Sequence, residues 1–294
     1  YRVLNEKKYL KGSLFTVGAS LWWGVIGVIY FKFVSFANPV ELVFHRTIWT
    51  ALILVVTTFF LSKWNIFFRL FKNIKIIVLL FISGFLVMIN WLTWLYAISV
   101  DKLIDASFGY YIFPIFSVFF GVIFLKETYN KNKILAVCLV FISILYLFFQ
   151  YNSFPWIGLT VAVTFSVYGL IRKKINIDSD IALLVETLLL SPLAILAFVY
   201  LVKLNLNIFS INEMNLSFYL LWAGPMTLIP LYLYTRGLKE IGIGPASMIF
   251  FATPTSQFLL GALVYGETLN IHKLISFIIV WIAVFIYLNE LRKE

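Results

Sequence analysis

Long apolar segments separated by short polar gaps are the feature that most limits what this chain can fold into. Each segment has the roughly 20 mostly apolar residues that a helix needs to cross a bilayer. Because the apolar runs are continuous rather than alternating, they predict helices and exclude a transmembrane β-barrel. The predicted spans are 11–33, 39–61, 76–98, 105–125, 133–150, 155–171, 180–202, 216–236, 244–265 and 272–289. We therefore predict an all-α membrane protein with ten transmembrane helices.

The composition indicates that lipid is the solvent of this chain. Of its 294 residues, 62% are hydrophobic and 12% are charged, whereas soluble domains are about 45–50% apolar and about 25% charged. The net charge of +10 does not indicate nucleic acid, because the basic residues lie in short gaps rather than on one polar face. The predicted partners are the lipid bilayer and a small-molecule substrate, and the choice between monomer and dimer stays open.

Lysine and arginine are unevenly distributed over the polar gaps. With the N-terminus in the cytoplasm, 18 of the 23 basic residues lie in cytoplasmic gaps, and four lie in external gaps: Lys32, Lys102, Lys203 and Lys273. This asymmetry follows the positive-inside rule and predicts that both termini are cytoplasmic. The remaining residue, Arg46, is the one Lys or Arg that this topology places inside the membrane.

The second half of the chain repeats the first. Residues 106–133 align without a gap on residues 246–273, at an offset of 140, and keep the same Pro, Gly, Glu-Thr and Asn positions. Since each repeat has an odd number of helices, the second must lie upside down relative to the first. We predict a five-helix repeat at 1–150 and an inverted five-helix repeat at 151–294. Inverted repeats can exchange outward-open and inward-open states around a central site, which predicts a secondary transporter.

Few ionisable residues lie deep in the predicted membrane segments. They are His45 and Arg46 on the second span and Glu186 on the seventh, and an offset of 141 aligns His45 with Glu186. Charged groups at such depth face a water-filled cavity or a partner group. Two interpretations stay open: Arg46 lines the transport path, or it bridges to a carboxylate or helix end.

Polar and aromatic residues complete the predicted substrate-binding set. Besides Arg46, His45 and Glu186, it consists of Asn90, Trp94, Tyr110, Tyr111 and Tyr168. Arginine binds carboxylates bidentately, and aromatic faces hold rings or cations. With Arg46 on an anionic group and Glu186 on a cationic group, a zwitterion such as an amino acid is the simplest ligand. Glu186 and His45 are also the predicted proton carriers, although a passive facilitator or exchanger fits equally well.

Glycine, proline and two repeated glutamates have predicted mechanical roles. Gly109, Pro114 and Pro254 are predicted hinge positions, with static kinks as the alternative. Glu127 and Glu267 each precede a threonine after a predicted span. We interpret them as caps of adjoining helices rather than as transport residues.

Enzymatic chemistry has little support in the sequence. There is no H-E-x-x-H motif and no P-loop, and the single Cys138 provides no thiolate metal site. We predict no catalytic residue, no metal and no cofactor. An intramembrane enzyme or a lipid-handling protein is the contrasting hypothesis, and a channel is disfavoured because no filter-like loop occurs.

Several motifs occur in the order seen in the RarD-type branch of the EamA family, within the drug/metabolite transporter superfamily. They are "ELVFHRTIW", "NWLTWLYAIS", "DASFGYYIFP", "FSVYGLIRKK", "LLVETLLLSP" and "VYGE". The resemblance covers essentially the whole chain. It implies a ten-helix bacterial inner-membrane transporter with a central cavity between two repeats. It also makes a multidrug or chloramphenicol efflux permease an alternative, and it identifies one departure, Phe250, where a glutamine is expected.

Overall fold

The structure, a computed structural model, describes residues 2–125, 131–151, 155–175, 177–241 and 249–291, with only the backbone described at 2–6 and at scattered helical positions. All regular structure in these ranges is helical. The helices are α1 (Arg2–Leu21), α2 (Gly27–Phe33), α3 (Pro39–Phe60), α4 (Trp64–Leu70), α5 (Ile74–Ser99), α6 (Leu103–Leu125), α7 (Lys131–Tyr151), α8 (Trp156–Ile175), α9 (Ser179–Lys203), α10 (Met214–Leu221), α11 (Ala223–Ile241), α12 (Ala252–Leu259) and α13 (Ile271–Leu291).

Seven helical spans in the described ranges are long and apolar enough to cross a membrane. They confirm an all-α membrane protein, whereas the count of ten stays a prediction. Trp156–Arg172 is apolar but shorter than the seven. The predicted spans 105–125 and 244–265 include residues that the structure does not describe in full. Glu127 also lies outside the described residues.

The apolar surface of the bundle suits lipid rather than water. Phe60 and Leu263 are each 77% exposed, and Phe149 is 72% exposed. In contrast, the described interior contains charged side chains, including Glu41, Arg46 and Glu186. In membrane proteins, ionisable side chains typically face the interior of the bundle or a water-filled cavity, and large apolar side chains face lipid.

Helices α3 and α9 pack against each other in antiparallel directions. Just beyond the end of α3, Nζ of Lys63 lies 2.6 Å from Asp180 at the start of α9. Partial burial lowers the pKa of Lys63, but the hydrogen bonds and charges of Asp180 and Asp178 outweigh it and raise that pKa above its ordinary value. Lys63 is therefore charged at neutral pH, and this contact persists there. We call this end of the bundle, where α1 also begins, the N-terminal side.

Two π-helical turns, Trp22–Ile26 and Leu260–Val264, interrupt the first and ninth predicted spans. At Gly24 in the first turn, an added Cβ would lie 2.8 Å from Cβ of Ser256, so glycine permits close approach to α12. Nε2 of Gln257 donates to the Trp23 carbonyl oxygen at 3.5 Å. Since a π-turn leaves carbonyl groups outside the regular helical pattern, it provides acceptors for a neighbouring side chain.

The predicted hinge residues occupy different environments. At Gly109 an added Cβ would lie 2.4 Å from the Gly158 carbonyl oxygen, so this glycine allows α6 and α8 to pack closely. Pro254 lies in the first turn of α12, where a missing backbone N–H leaves no helical hydrogen bond unmade. The backbone at Pro114 is helical within α6. Hinge motion at these positions stays a prediction.

Candidate functional site

A cavity of about 300 Å³ lies between helices from both halves of the chain. Its walls come from α2, α3, α5, α6, α8, α9, α11 and α12, and most of its lining is aromatic or apolar. Five of the predicted substrate-binding residues line it: Arg46, Asn90, Trp94, Tyr110 and Tyr168. The other three, His45, Glu186 and Tyr111, are not among its lining residues.

Arg46 is a buried cation, only 5% exposed. Its Nε donates to Thr227 Oγ1 at 3.0 Å, and its guanidinium carbon lies 4.3 Å and 4.9 Å from the ring centroids of Trp91 and Phe31. No carboxylate in the described part of the chain pairs with it. The aromatic faces offset part of the desolvation of the charge, but the terminal nitrogens remain available to the cavity.

Helix α3 presents Arg46 and His45 to different surroundings. The helix begins at Pro39 after Asn38, whose Oδ1 accepts from the backbone N–H of Val40 at 2.9 Å. This cap defines the start of α3. Neighbouring residues on a helix point about 100° apart, and on α3 Arg46 lines the cavity whereas His45 does not.

His45 lies in a buried aromatic cluster with Phe44, Phe198 and Phe209. The Trp49 indole N–H donates to His45 Nδ1 at 2.9 Å. Because the indole nitrogen can only donate, Nδ1 must accept, which assigns the ring proton to Nε2. His45 is fully buried in this neutral tautomer, away from the cavity.

Glu41 anchors the start of α3 to the chain that follows α9. Its carboxylate accepts hydrogen bonds from the backbone N–H groups of Ile208 and Phe209, at 2.7–3.0 Å. His45 Nε2 lies 3.9 Å from Glu41 Oε1. These contacts give the His45 region a structural role, as an anchor between α3 and the segment that follows α9.

Glu186 reaches the cavity through two lining residues, Arg172 and Tyr168, whose side chains both interact with its carboxylate. It is fully buried, accepts from Ser83 Oγ at 2.6 Å, and accepts from Arg172 Nη1 at 3.3 Å. Arg172 lines the cavity, where its guanidinium carbon lies 5.8 Å from the Tyr168 ring centroid. The repeat alignment of His45 with Glu186 therefore marks equivalent positions in two helices and not a contact between them.

Asn90 connects three helices at the cavity wall. Its Oδ1 accepts from the Tyr110 hydroxyl at 3.0 Å, and its Nδ2 donates to the Val161 carbonyl at 3.0 Å and to Thr164 Oγ1 at 3.2 Å. These bonds hold the Tyr110 ring in place at the cavity. Tyr111, the next residue, instead bonds Thr255 Oγ1 at 2.7 Å and packs in the core between α6, α12 and α13.

Comparison with known proteins identifies the family of this chain. Residues 10–149 and 154–289 each match the profile of the EamA-like transporter family. The chain belongs to this family. It is similar to the protein RarD of Salmonella typhi, with 32% identity over 98% of this chain and 97% of that protein. Transporters named as uncharacterized in Vibrio cholerae and Bacillus subtilis are 31% and 30% identical, over 96% and 94% of this chain and 93% of each relative.

As an EamA-family chain, it is a member of the drug/metabolite transporter superfamily and an integral bacterial membrane protein. The family and the names of its relatives indicate a transporter rather than an enzyme. The resemblance stated from the sequence motifs is therefore confirmed.

Several polar residues that line this EamA-family cavity were not predicted from the sequence, and Arg172 and Gln257 are two of them. Arg172 follows the predicted end of its span at 171, but α8 continues to Ile175 and carries it to the cavity. Gln257 lies two turns after Phe250, and both residues line the cavity. The 3.6-residue period, followed forward from Phe250, is the signal that could have found Gln257.

Glu267 is a helix cap, but of a helix distant in the chain rather than of the adjoining helix that was predicted. Its two carboxylate oxygens accept from the backbone N–H groups of Leu103 and Ile104, at 2.6 Å and 2.8 Å. These groups are unpaired donors in the first turn of α6. Burial raises the pKa of Glu267. Its contacts are with a helix end of the other half, remote from the cavity lining.

Proposed function

We propose that this chain is a secondary transporter that moves a small organic solute across the bacterial inner membrane by alternating access. The observation that carries the proposal is the unpaired guanidinium of Arg46 in an aromatic cavity between the two halves. An unpaired charge this deep is unfavourable by roughly 2.5–3.5 kcal/mol on insertion scales. A solute anion that enters the cavity would supply the missing partner.

Ten helices in two inverted repeats, 1–150 and 151–294, are part of this proposal. The family profile matches once in each half. Under the repeat, α3 and α7 correspond to α9 and α13, and each packs on its equivalent. Likewise the α1–α11 contact corresponds to the α8–α5 contact, and both occur. This pattern of packing supports an internal two-fold relationship between the halves.

We propose that the cavity is open toward the N-terminal side of the bundle. We also propose that this side, with both termini, is cytoplasmic. Its lining extends to Ser179, at the start of α9. Toward the opposite side, Phe31 and Trp94 meet edge to face, with centroids 5.5 Å apart. Farther out, Lys32 Nζ lies 2.6 Å from Asp101. Exposure of the site to the other side would require the separation of these contacts.

Proton coupling, if it accompanies transport, is proposed to act at Glu186. One of its carboxylate oxygens, Oε2, has no hydrogen-bond partner among the described residues. Protonation of Glu186 would weaken its attraction for Arg172 and release that guanidinium toward the cavity. His45 is left out of this role, because its proton position is already set by Trp49.

Solute counterflow in proteoliposomes tests the transport function. Vesicles loaded with an unlabelled aromatic carboxylate or amino acid should accumulate the labelled compound transiently, and Arg46→Met should abolish this. Arg236→Met is the matched control, since Arg236 is exposed on α11 and does not line the cavity. Equal counterflow by Arg46→Met would remove Arg46 from the site. A steady ionic current, or chemical alteration of the solute, would contradict a carrier.

A further inference from the structure

We propose that the cavity selects an aromatic carboxylate, a solute with one negative charge, a planar apolar body and no ammonium group. This inference rests on the proposed transport function and narrows its substrate class. This ligand differs from the zwitterion predicted from the sequence. A zwitterion would require Arg46 and Glu186 to contact the same ligand. In the structure, Glu186 does not line the cavity that Arg46 lines.

The charge of the lining favours an anion. Its charged members are Arg46 and Arg172, and the described lining contains no carboxylate. Glu186 balances Arg172 across 3.3 Å, which leaves the charge of Arg46 unbalanced. In a site of low effective dielectric constant, a solute ammonium close to the carboxylate bound by Arg46 would be repelled by the same guanidinium.

The geometry of Arg46 favours a carboxylate over a diffuse anion. Its Nε is already bonded to Thr227, and Trp91 and Phe31 hold the position of the guanidinium. The terminal nitrogens therefore remain as donors from a fixed plane. A planar fork of this kind matches the two oxygens of a carboxylate.

The walls favour a ring as the body of the solute. Trp23, Tyr234 and Phe250 form one aromatic group in the lining, with ring centroids 5.7–6.0 Å apart. Phe165 and Tyr168 form a second, stacked group with centroids 5.8 Å apart. Aromatic faces and edges of this density pack well against another ring. The cavity, about 300 Å³, suits a single small ring compound.

Three ligands that share one phenyl ring test this inference: 3-phenylpropionate, L-phenylalanine and 2-phenylethylamine. They present a carboxylate, a zwitterion and an ammonium on nearly the same body. Calorimetric titration of the purified protein in detergent should show 3-phenylpropionate binding at least about tenfold more tightly than L-phenylalanine. No saturable binding of 2-phenylethylamine is expected.

Variants of Arg46 separate its charge from its shape. Arg46→Met should weaken binding of 3-phenylpropionate at least about tenfold, and Arg46→Lys should fall between the two because it keeps the charge but loses the fork. Arg236→Met should bind as the parent does. Thermal unfolding of each variant shows whether it is folded. If Arg46→Met does not fold, the affinity of Arg46→Lys still tests the role of the guanidinium.

The inference is overturned if L-phenylalanine or 2-phenylethylamine binds as tightly as 3-phenylpropionate, or if none of the three binds. Counterflow of the same compounds distinguishes this failure from failure of the transport function. Tight, Arg46-dependent binding of 3-phenylpropionate without counterflow would contradict transport and keep the ligand class. Counterflow of L-phenylalanine without binding of 3-phenylpropionate would keep transport and reject the class.

Discussion

The guanidinium carbon of Arg46 lies 4.3 Å from the ring centroid of Trp91, inside the bundle and without a carboxylate partner in the described chain. This contact explains how α3 tolerates an arginine in a membrane segment. The electron-rich face of an indole attracts a cation most strongly where water is absent. The ring stabilises the charge without neutralising it, and the guanidinium keeps its capacity to bind an anion.

Substitution of Trp91 should reveal this stabilisation. We expect Trp91→Leu to lower the free energy of unfolding by about 2 kcal/mol, because the buried cation loses its nearest aromatic face. Trp91→Phe retains a ring and should lose less than half of that. Unfolding by SDS titration in mixed micelles measures both values. Equal losses for the two variants would show that volume, not cation–π attraction, matters at this position.

His45 and Arg46 are neighbours in the chain, and their substitutions should separate stability from binding. His45→Leu removes the acceptor of the Trp49 indole N–H, so we expect a loss of about 1–3 kcal/mol of stability. Binding of 3-phenylpropionate should change less than threefold. His45→Gln, which keeps an acceptor, should recover part of the stability. A large loss of affinity in His45→Leu would return His45 to the binding site.

Glu186→Gln should add positive charge to the cavity by leaving Arg172 unpaired. We expect this variant to bind the dianion phenylsuccinate more tightly relative to 3-phenylpropionate, by about tenfold. Ser83→Ala is the matched control, because it removes a different hydrogen bond of Glu186 and keeps the ion pair. Competition titrations compare the two ligands in each variant. No change in their ratio in Glu186→Gln would show that Arg172 does not reach the solute.

Gly109 and Gly169 provide a paired test of helix packing. At Gly109 an added methyl group meets the Gly158 backbone, whereas at Gly169 nothing lies within 4 Å. Gly109→Ala should therefore destabilise the protein by about 1–3 kcal/mol, since the overpacked contact must shift α6 from α8. Gly169→Ala should leave stability unchanged or slightly higher. Thermal melts of the two variants measured side by side decide the point, and equal melting temperatures would refute it.

Glu267 should stabilise α6 through charged hydrogen bonds to its first turn. Glu267→Gln keeps the shape but removes the negative charge at the helix N-terminus, and we expect a loss of about 1–2 kcal/mol. Asn270→Ala, at the cap of α13, is the neutral comparison and should lose about 1 kcal/mol. Hydrogen exchange at Leu103 and Ile104 reports the local effect, which should be absent in Asn270→Ala.

The apolar segments and the repeated motifs of the sequence were sufficient for the protein class. Continuous hydrophobic runs of membrane length predict helices in lipid, because the one alternative that satisfies the backbone there, a closed β-barrel, requires alternating rather than continuous apolar residues. The motif around His45 and Arg46 led to the transporter family that the comparisons confirm. A capping role of Glu267 was predicted from local sequence, but the helix that it caps, α6, lies far away in the chain and was not predicted.

The residues that line the cavity could not be predicted from the sequence in the same way. The predicted span ended just before Arg172, because a charged residue ends an apolar run. In the structure α8 continues to Ile175, and Arg172 forms an ion pair with Glu186. Tyr110 faces the cavity while Tyr111 faces the core. In both cases the deciding contact comes from a distant helix, which a single-sequence pattern does not contain.

The sequence by itself determined that Arg46 lies where a charge is unfavourable, and therefore that it needs a partner. Only the tertiary structure decided which partners Arg46 has: aromatic rings of α2 and α5 and a threonine of α11. The buried carboxylate of Glu186 pairs with Arg172 and not with Arg46. The physical reason is rotational. One helical residue turns a side chain by about 100°, and the identity of the facing surface depends on how distant helices pack.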